Sequence, residues 1–364
     1  MHKLFFVVIL LLPIIFSSCG NVGNVEVSAL PSEHKDEIKL EIEVLVKDST
    51  LNVRAMDFGP NNEISFVTSD GRIGMLYFDK DSNYFEMVFL KTKYQAATPN
   101  FRAISHIGCH IFAVGVGSPA LLYKAVNPDS IHLVYKETHE KAFYDSLEFW
   151  NEDEGIAIGD PTEDCMSVII TRDGGETWEK LSCDDLPKSR DGEAAFAASD
   201  TNIAIVGNDT WVATGGVASR ILYSPDKGKS WSVYETPIIQ GETTTGIYSL
   251  DFYDKNHGFA IGGDYTKPAD SSANKIRTSD GGKTWELVAE NQAPGYRSCV
   301  QYVPNGNTRK LVTVGFKGID YTSDSGETWQ HLSDKGFYTI RFLNDSVAFA
   351  GGNGSVAKLI FRQE

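Results

Sequence analysis

The eight residues Thr278-Ser279-Asp280-Gly281-Gly282-Lys283-Thr284-Trp285 decide the fold that this sequence predicts, because the same pattern recurs along the chain. Further copies begin at Thr171, Ser224 and Thr322, and all four read hydroxyl-x-Asp-x-Gly-x-hydroxyl-Trp. In a tight turn the Asp accepts hydrogen bonds from backbone N–H groups, and the Gly adopts a positive φ without steric cost. The Trp starts the returning strand and buries its ring. Each copy therefore predicts two antiparallel strands joined by a tight turn.

The Asp and the Trp of each copy are predicted to be structural residues. They are Asp173, Trp178, Asp226, Trp231, Asp280, Trp285, Asp324 and Trp329. The motif resembles the Asp-box, or BNR, repeat of sialidase-like β-propellers. The resemblance implies a ring of small antiparallel sheets, called blades, and it implies no particular activity because the box is structural.

The spacing of the motif predicts the architecture. Successive copies are separated by roughly 45–55 residues, which is the length of a four-stranded blade with its loops. A second repeated feature is a short apolar strand that ends in glycine, as in Ile156-Ala157-Ile158-Gly159 and Phe259-Ala260-Ile261-Gly262. The repeats predict an all-β propeller over residues 38–364, with seven blades or alternatively six. The N-terminal strand 38–46 is expected to join the last blade, which closes the ring and removes open sheet edges.

The box and the glycine-ending strand together resemble the repeats of the photosystem II stability and assembly factor family. Bacterial relatives of that family occur outside photosynthesis. The resemblance extends over nearly the whole mature chain, but it concerns the style of the repeat and includes no catalytic motif. It implies a non-catalytic assembly or binding module.

The N-terminus has the features of an export signal. A basic start at residues 1–3 is followed by an apolar run, Leu4 to Ile15, and then by a lipobox-like site at Cys19. The run is too short for a comfortable membrane span. We expect cleavage before Cys19, lipidation of its thiol and a flexible tether over residues 20–37; an ordinary cleaved signal is the alternative. The expected location is the bacterial cell envelope, at the outer membrane rather than the inner one, with contact to the membrane through the lipid anchor only.

Composition excludes several classes of function. A net charge of −16 argues against nucleic acid as a partner. The cysteines form no metal-binding spacing, and the acidic loops match no EF-hand, so neither a metal nor a cofactor is expected. The chain is expected to be a monomer whose partner is a protein, an acidic small molecule or a glycan.

Aligning the predicted innermost strands of the blades gives one column of candidate residues. The column contains Arg54, Arg102, Asp145, Ala194, Tyr248, Arg297 and Tyr338. Equivalent positions of a closed ring converge on the mouth of its central channel, and guanidinium groups bind carboxylates and phosphates bidentately. The three arginines therefore predict a site for an anionic group or an acidic peptide. The alternative is that each arginine pairs with a neighbouring carboxylate and only stabilises the ring.

Two aromatic residues in long loops above the same channel are further candidates for contact with a ligand. They are Trp211 and Tyr265. Loops of this kind form the walls of binding clefts. For Trp211, partial burial against an adjacent loop is the alternative.

Cys165 and Cys183 flank the hairpin that contains the first full box. If Thr171 pairs with Trp178, the two cysteines lie nearly opposite each other on adjacent strands. An oxidising compartment would permit a disulfide between them, and two free thiols are the alternative.

The sequence allows a binding module or an enzyme, and it favours the binding module. The enzymatic alternative is a sialidase-like glycoside hydrolase acting on an acidic sugar, which needs an arginine triad, a tyrosine nucleophile and a carboxylic acid. Tyr248, Tyr338 and Asp145 would supply the tyrosine and the acid. However, Phe101-Arg102-Ala103-Ile104 departs from the Phe-Arg-Ile-Pro signature of sialidases. In addition, no Glu in the column is placed to activate either tyrosine.

Overall fold

The computed structural model describes residues 38–79, 84–127 and 130–363. The predicted export signal, the lipidation site Cys19 and the tether 20–37 lie outside these residues. Every named element within them is a β-strand, and no helix among them is long and apolar enough to cross a membrane.

The first twelve strands run from the N-terminus to the hairpin with the first full box. They are β1 Ile38–Phe58, β2 Ile64–Thr68, β3 Arg72–Asp79, β4 Tyr84–Lys91, β5 Asn100–Ile107, β6 His110–Val116, β7 Ala120–Asn127, β8 Ser130–Glu137, β9 Tyr144–Phe149, β10 Gly155–Gly159, β11 Ser167–Thr171 and β12 Glu179–Lys180.

The remaining strands follow the same up-and-down order. They are β13 Glu193–Ala194, β14 Ile203–Val206, β15 Asp209–Ala213, β16 Gly215–Gly216, β17 Arg220–Ser224, β18 Ser232–Glu235, β19 Thr245–Phe252, β20 Gly258–Asp264, β21 Lys275–Thr278, β22 Glu286–Leu287, β23 Cys299–Tyr302, β24 Leu311–Gly315, β25 Gly318–Thr322, β26 Gln330–Ser333, β27 Thr339–Phe342 and β28 Val347–Gln363.

The strands of the described residues form six antiparallel sheets, so the expectation of seven blades is wrong and the alternative count of six is correct. Four sheets have four strands each: β5-β6-β7-β8, β12-β11-β10-β9, β14-β15-β17-β18 and β23-β24-β25-β26. The short strands β13 and β16 extend a fifth sheet, β19-β20-β21-β22, to six strands. The sixth sheet has the order β27-β28-β1-β2-β3-β4.

The difference from seven arises because the first and last repeats share one sheet. β1 is 21 residues long; its first half pairs with β28, from Ile38↔Gln363 to Lys47↔Ser355, and its second half pairs with β2. One continuous strand therefore joins two units that the repeat pattern separates. The pairing of residues 38–46 with the C-terminal strand is the contact that was expected to close the ring.

The innermost strands contact one another in chain order and form the ring of a β-propeller. The order is β1, β5, β9, β14, β19, β23 and β27, and β27 returns to β1. β1 and β27 belong to the same sheet. Side chains between neighbouring sheets are small, branched or aromatic and fully buried, as in Ala103, Leu147 and Ala157 of one core cluster. The core is therefore a series of layers between sheets rather than one central mass.

Each box turn also connects its sheet to the preceding one. The backbone carbonyl at the fourth box position accepts a hydrogen bond from a side chain of the preceding sheet. The donors and acceptors are Lys124 to Gly174 (2.9 Å), Arg172 to Lys227 (2.6 Å), Trp211 to Gly281 (2.8 Å) and Arg277 to Ser325 (3.4 Å). The box thus stabilises both its own hairpin and the contact between sheets.

A segment between β13 and β14, residues 195–202, crosses the centre of the ring. The carboxylate of Asp200 accepts hydrogen bonds from the backbone N–H groups of Ile104 (2.9 Å) and Leu147 (3.0 Å). On another side of the ring, Thr339 donates to the carbonyl of Ser199 (3.0 Å). The prediction that Ala194 begins an innermost strand is wrong, because β14 occupies that place between β9 and β19. The central segment closes the channel instead.

Candidate binding site

The column of residues predicted from the sequence coincides with a set of β-bulges. The pairing register shifts around Arg54 in β1, around Arg102 in β5 and around Tyr248 in β19, and each of the three is the extra residue. Asp145 holds the same position in β9. A bulge leaves one residue without a ladder partner and redirects its side chain. This explains how residues of a buried strand can face the mouth of the channel.

Arg54, Arg102, Tyr248 and Tyr338 line one cavity of about 570 Å³. We call it the arginine cavity. Its other lining residues are Phe143, Asp160, Ala194, Ala195, Phe196, Ala197, Ala198, Thr243, Tyr265, Tyr296 and Phe316. None of these belongs to a box turn, so the cavity lies among the loops at the other ends of the strands. The central segment forms its floor.

The two arginines of this cavity lie close enough to affect each other. Burial and, as a smaller contribution, the positive charge of Arg54 lower the pKa of Arg102 to about 10. Each guanidinium donates through Nε to an asparagine two residues earlier, Asn52 (3.3 Å) and Asn100 (3.2 Å). Among the described residues neither arginine forms an ion pair within 4.0 Å. The cavity therefore presents two positive charges whose mutual repulsion an anion would relieve.

Two carboxyl groups lie near the arginines. Asp160 lines the cavity and accepts a hydrogen bond from the backbone N–H of Ala195 (2.8 Å); burial raises its pKa to about 6. Asp145 is fully buried, and its burial, together with the charge of Asp160, raises its pKa well above the usual range while Arg102 opposes this. Asp145 is not among the residues that line the cavity, and its contact with a ligand stays a prediction.

Aromatic rings form the rest of the wall. Tyr248 stacks face to face on Phe196 of the central segment, with centroids 3.9 Å apart, and it meets Tyr296 edge to face at 4.8 Å. Tyr265 is half exposed at the rim, 6.4 Å from both Tyr248 and Tyr296. The contribution of Tyr296 and Phe316 was not foreseen. A wall of this kind suits an apolar or aromatic group next to an anion.

Arg297 is not in the arginine cavity, so the expected convergence of three arginines is wrong. Its buried side chain forms an ion pair with Asp320 of β25 (2.6 Å). The preceding residue, Tyr296, lines the cavity instead. Neighbouring residues of an extended chain point to opposite sides, so an offset of one residue in the alignment moves the arginine away from the channel. The predicted alternative, pairing with a carboxylate, applies to this arginine alone.

Trp211 is also placed elsewhere than in a ligand-binding loop. It lies in β15 and is fully buried, its ring stacked on Phe252 at 3.7 Å and its Nε1 donating to the carbonyl of Gly281. Lys or Arg occupies the corresponding role at the other box turns. Trp211 is therefore part of the contact between sheets. The sequence did contain a signal for this role, because the carbonyl of Gly281 in the next box turn needs a side-chain donor from the preceding sheet.

The glycoside hydrolase alternative finds no support in this geometry. The hydroxyl of Tyr248 donates to the backbone carbonyl of Thr244 (2.9 Å), and burial raises its pKa, which is the opposite of what a nucleophile needs. Tyr338 contacts the guanidinium of Arg54. Among the described residues no carboxylate is hydrogen-bonded to either tyrosine.

The four box turns share one hydrogen-bond pattern. In the first, Thr177 donates to Asp173 through both its N–H (2.9 Å) and its hydroxyl (2.6 Å), while the hydroxyl of Thr171 accepts from Gly175 N–H (2.9 Å). The same bonds form around Asp226, Asp280 and Asp324.

The two cysteines beside the first box are joined by a disulfide. The Cα atoms of Cys165 and Cys183 are 5.4 Å apart. β11 and β12 pair between them in the register that the sequence suggested, with Ile170 opposite Glu179.

Residues 169–180 match the family model described as "BNR/Asp-box repeat". This hairpin is an Asp-box repeat. The match agrees with the hydrogen bonds of the turn, and the other three turns have the same bonds. The described chain is a β-propeller that contains Asp-box turns, as the recurring motif predicted. A comparison with curated protein sequences gave no significant match.

Solved structures with a similar fold cover most of the Asp-box chain. "YCF48 bound to D1 peptide" has a TM-score of 0.61 at 13% identity, over 88% of this chain and 94% of that one. "YCF48 from Cyanidioschyzon merolae" has a TM-score of 0.59 at 13% identity, over 88% and 98%. The WD40 repeats of RRP9 are as similar, at 0.61 and 14% identity, over 90% and 100%. At such identities the likeness shows the propeller fold alone.

Proposed function

We propose that this protein is a non-catalytic binding module of the bacterial envelope, and that its arginine cavity binds an anionic group of a partner. One observation carries the proposal. Arg54 and Arg102 project from bulges of neighbouring inner strands into the same cavity, and Arg54 lowers the pKa of Arg102. Two guanidinium groups held close together without an ion-pair partner cost free energy that a bound anion recovers.

An acidic peptide is the partner that the cavity suits best. About 570 Å³ is more than a carboxylate occupies, and the remaining wall is formed by tyrosine and phenylalanine side chains. A peptide offers an anion and an apolar or aromatic side chain at adjacent positions, so it can use both parts. The structure of the similar propeller YCF48 contains a D1 peptide, which supports a peptide rather than a glycan.

Binding of synthetic peptides tests this function. A short peptide with an Asp or Glu next to an aromatic residue is titrated into the protein by calorimetry, beside the same peptide with the acid changed to its amide. We expect the acidic peptide to bind at least tenfold more tightly. Arg54→Ala with Arg102→Ala should remove this preference, since charge-assisted hydrogen bonds contribute about 1.5–3 kcal/mol each.

A charge-matched control variant separates local from general electrostatics. Arg190 is exposed, pairs with Glu235 (2.5 Å) and does not line the arginine cavity. Arg190→Ala changes the net charge as much as Arg54→Ala or Arg102→Ala made singly, and it should leave the preference intact. If these three single variants weaken binding equally, or if the acidic and amide peptides bind alike, the arginine cavity is not the binding site.

The location is proposed from the sequence alone. The lipobox-like Cys19 after an apolar run supports a lipid anchor that holds the propeller at a membrane surface. Cell fractionation tests this: the wild-type chain should sediment with envelope membranes, and Cys19→Ser should release it to the soluble fraction. Retention of the variant in the membrane would contradict the anchor.

Because the ring closes within one chain, we propose that the protein is a monomer, and light scattering can measure its molar mass.

A further inference from the structure

We infer that a second cavity, between the strands β2 to β4 and β5 to β7, binds a small amphipathic molecule with one hydrogen-bonding head group. We call it the side cavity. Its volume is about 230 Å³, and it shares no lining residue with the arginine cavity. It therefore needs an explanation of its own.

The polar groups of the side cavity are unusual because they lack partners. Ser65 is completely buried, and among the described residues its hydroxyl has no hydrogen-bond partner. The same holds for both ring nitrogens of His106. Nearly all buried polar groups in folded proteins are hydrogen-bonded, because an unsatisfied one is costly. Three unused sites on one cavity wall indicate that the wall is built to receive a polar group.

The chemistry of His106 defines what the head group must do. Its backbone N–H donates to Asp57 (2.8 Å), which fixes the residue in β5, and burial lowers the pKa of its imidazole. A neutral imidazole has one N–H donor and one nitrogen acceptor. With the hydroxyl of Ser65 beside it, the wall can both donate and accept. A hydroxyl on the ligand can do the same, whereas a fully ionised group cannot.

The remaining wall is apolar and fits one small ring. Met75, Leu90 and Ala125 are buried, while Tyr77 and Val126 are 40% and 37% exposed and mark the rim. A cavity of about 150 Å³ lined by apolar residues can hold benzene, so this one has room for a ring with a small substituent. Cys109 and Glu63 also line it, but no group of three His, Cys, Asp or Glu residues in the described chain can hold a metal ion. The geometry points to an organic ligand such as a phenol.

Phenol and benzene are the probes that test the inference on the full chain. They have the same ring, and only phenol carries the head group. Calorimetry and saturation-transfer NMR should show phenol binding about tenfold more tightly, which corresponds to one added hydrogen bond. Ser65→Ala and His106→Phe should each reduce this ratio towards one. Ser105→Ala, a buried serine of β5 outside the cavity lining, should leave the ratio unchanged.

Filling the space provides an independent measurement. Ala125→Leu adds three carbon atoms within the cavity and should abolish the binding of both probes; a thermal melt verifies that the variant is folded. Arg54→Ala with Arg102→Ala should not affect phenol, which would exclude binding in the arginine cavity. Equal affinity of phenol and benzene, unchanged phenol binding in folded Ala125→Leu, or no binding of either probe at millimolar concentration would each overturn the inference.

Discussion

The guanidinium of Arg54 lies over the ring of Tyr338, 3.8 Å from its centroid. Arg54 belongs to β1 and Tyr338 precedes β27, so this contact joins the first and last inner strands of the ring. It also holds the guanidinium at the wall of the arginine cavity, which Arg102 lines as well. One contact therefore serves both the closure of the propeller and the position of a proposed binding group.

Two substitutions of Tyr338 separate the contribution of its ring from that of its hydroxyl group. A cation–π contact uses the ring face, so Tyr338→Phe should retain both stability and the affinity for an acidic peptide. Tyr338→Leu should lose about 0.5–1 kcal/mol of stability and weaken peptide binding several-fold, because the guanidinium is no longer held in place. Urea denaturation and calorimetry measure the two effects. If Tyr338→Phe and Tyr338→Leu have the same stability and the same peptide affinity, the contact does not position Arg54.

Arg297 should behave as a structural residue, although the sequence around it resembles the sequences around Arg54 and Arg102. Arg297→Ala removes the guanidinium partner of the buried Asp320 carboxylate and leaves it the contact with His331 (2.9 Å). Removing one partner of a buried ion pair typically costs about 3–5 kcal/mol. Arg54→Ala, at a half-buried site without an ion pair, should cost about 1 kcal/mol or less. Comparison of the two unfolding free energies tests this assignment. A stability loss for Arg297→Ala as small as that for Arg54→Ala would contradict it.

Two features should require glycine at the fifth box position: the positive φ of its backbone and the lack of space for a side chain. Gly326 has φ +88°, and a Cβ there would overlap the ring of Phe259 in the preceding sheet. Gly207 also has a positive φ, +64°, with open space around it. Both Gly→Ala variants pay the backbone cost of roughly 1 kcal/mol, and Gly326→Ala should lose a further 1–3 kcal/mol from overpacking. Equal losses would show that the contact between sheets is loose.

The repeats made the propeller predictable because each box carries its own turn chemistry in eight consecutive residues. The positions of Arg54, Arg102 and Tyr248 could also be predicted, since a bulge occurs at the same place in several inner strands. Arg297 could not be placed correctly because an offset of one residue reverses the side of an extended chain. The innermost strand predicted to begin at Ala194 was misassigned because the small apolar residues that follow resemble an inner strand. The hydrogen bonds of the central segment 195–202 to strands distant in sequence appear only in the folded chain.

Asp200 of this central segment should make the stability of the protein depend on pH between 5 and 7. Burial raises the pKa of Asp200 to about 7, although Arg341 and three hydrogen bonds to its carboxyl group oppose this. Because the folded-state pKa exceeds the ordinary value of 3.8, the folded protein holds a proton that the unfolded chain releases. The stabilisation is complete below about pH 4 and is lost as the pH rises through about 7.

The contribution of Asp200 can be isolated by substitution. Other buried groups also titrate here: burial raises the pKa of Asp251 to about 6, and it lowers the pKa of His106, which acts in the opposite direction. The comparison of wild type with Asp200→Asn cancels the contributions of Asp251 and His106, and it also removes the charge of Asp200 that raises the pKa of Glu148. Between pH 5 and 7 the wild type should lose up to about 1.4 kcal/mol per pH unit relative to the variant. Asp48→Asn is the control, since hydrogen bonds from Thr50 lower the pKa of Asp48 below this range. Parallel stability curves for wild type and Asp200→Asn would mean that Asp200 is ionised throughout.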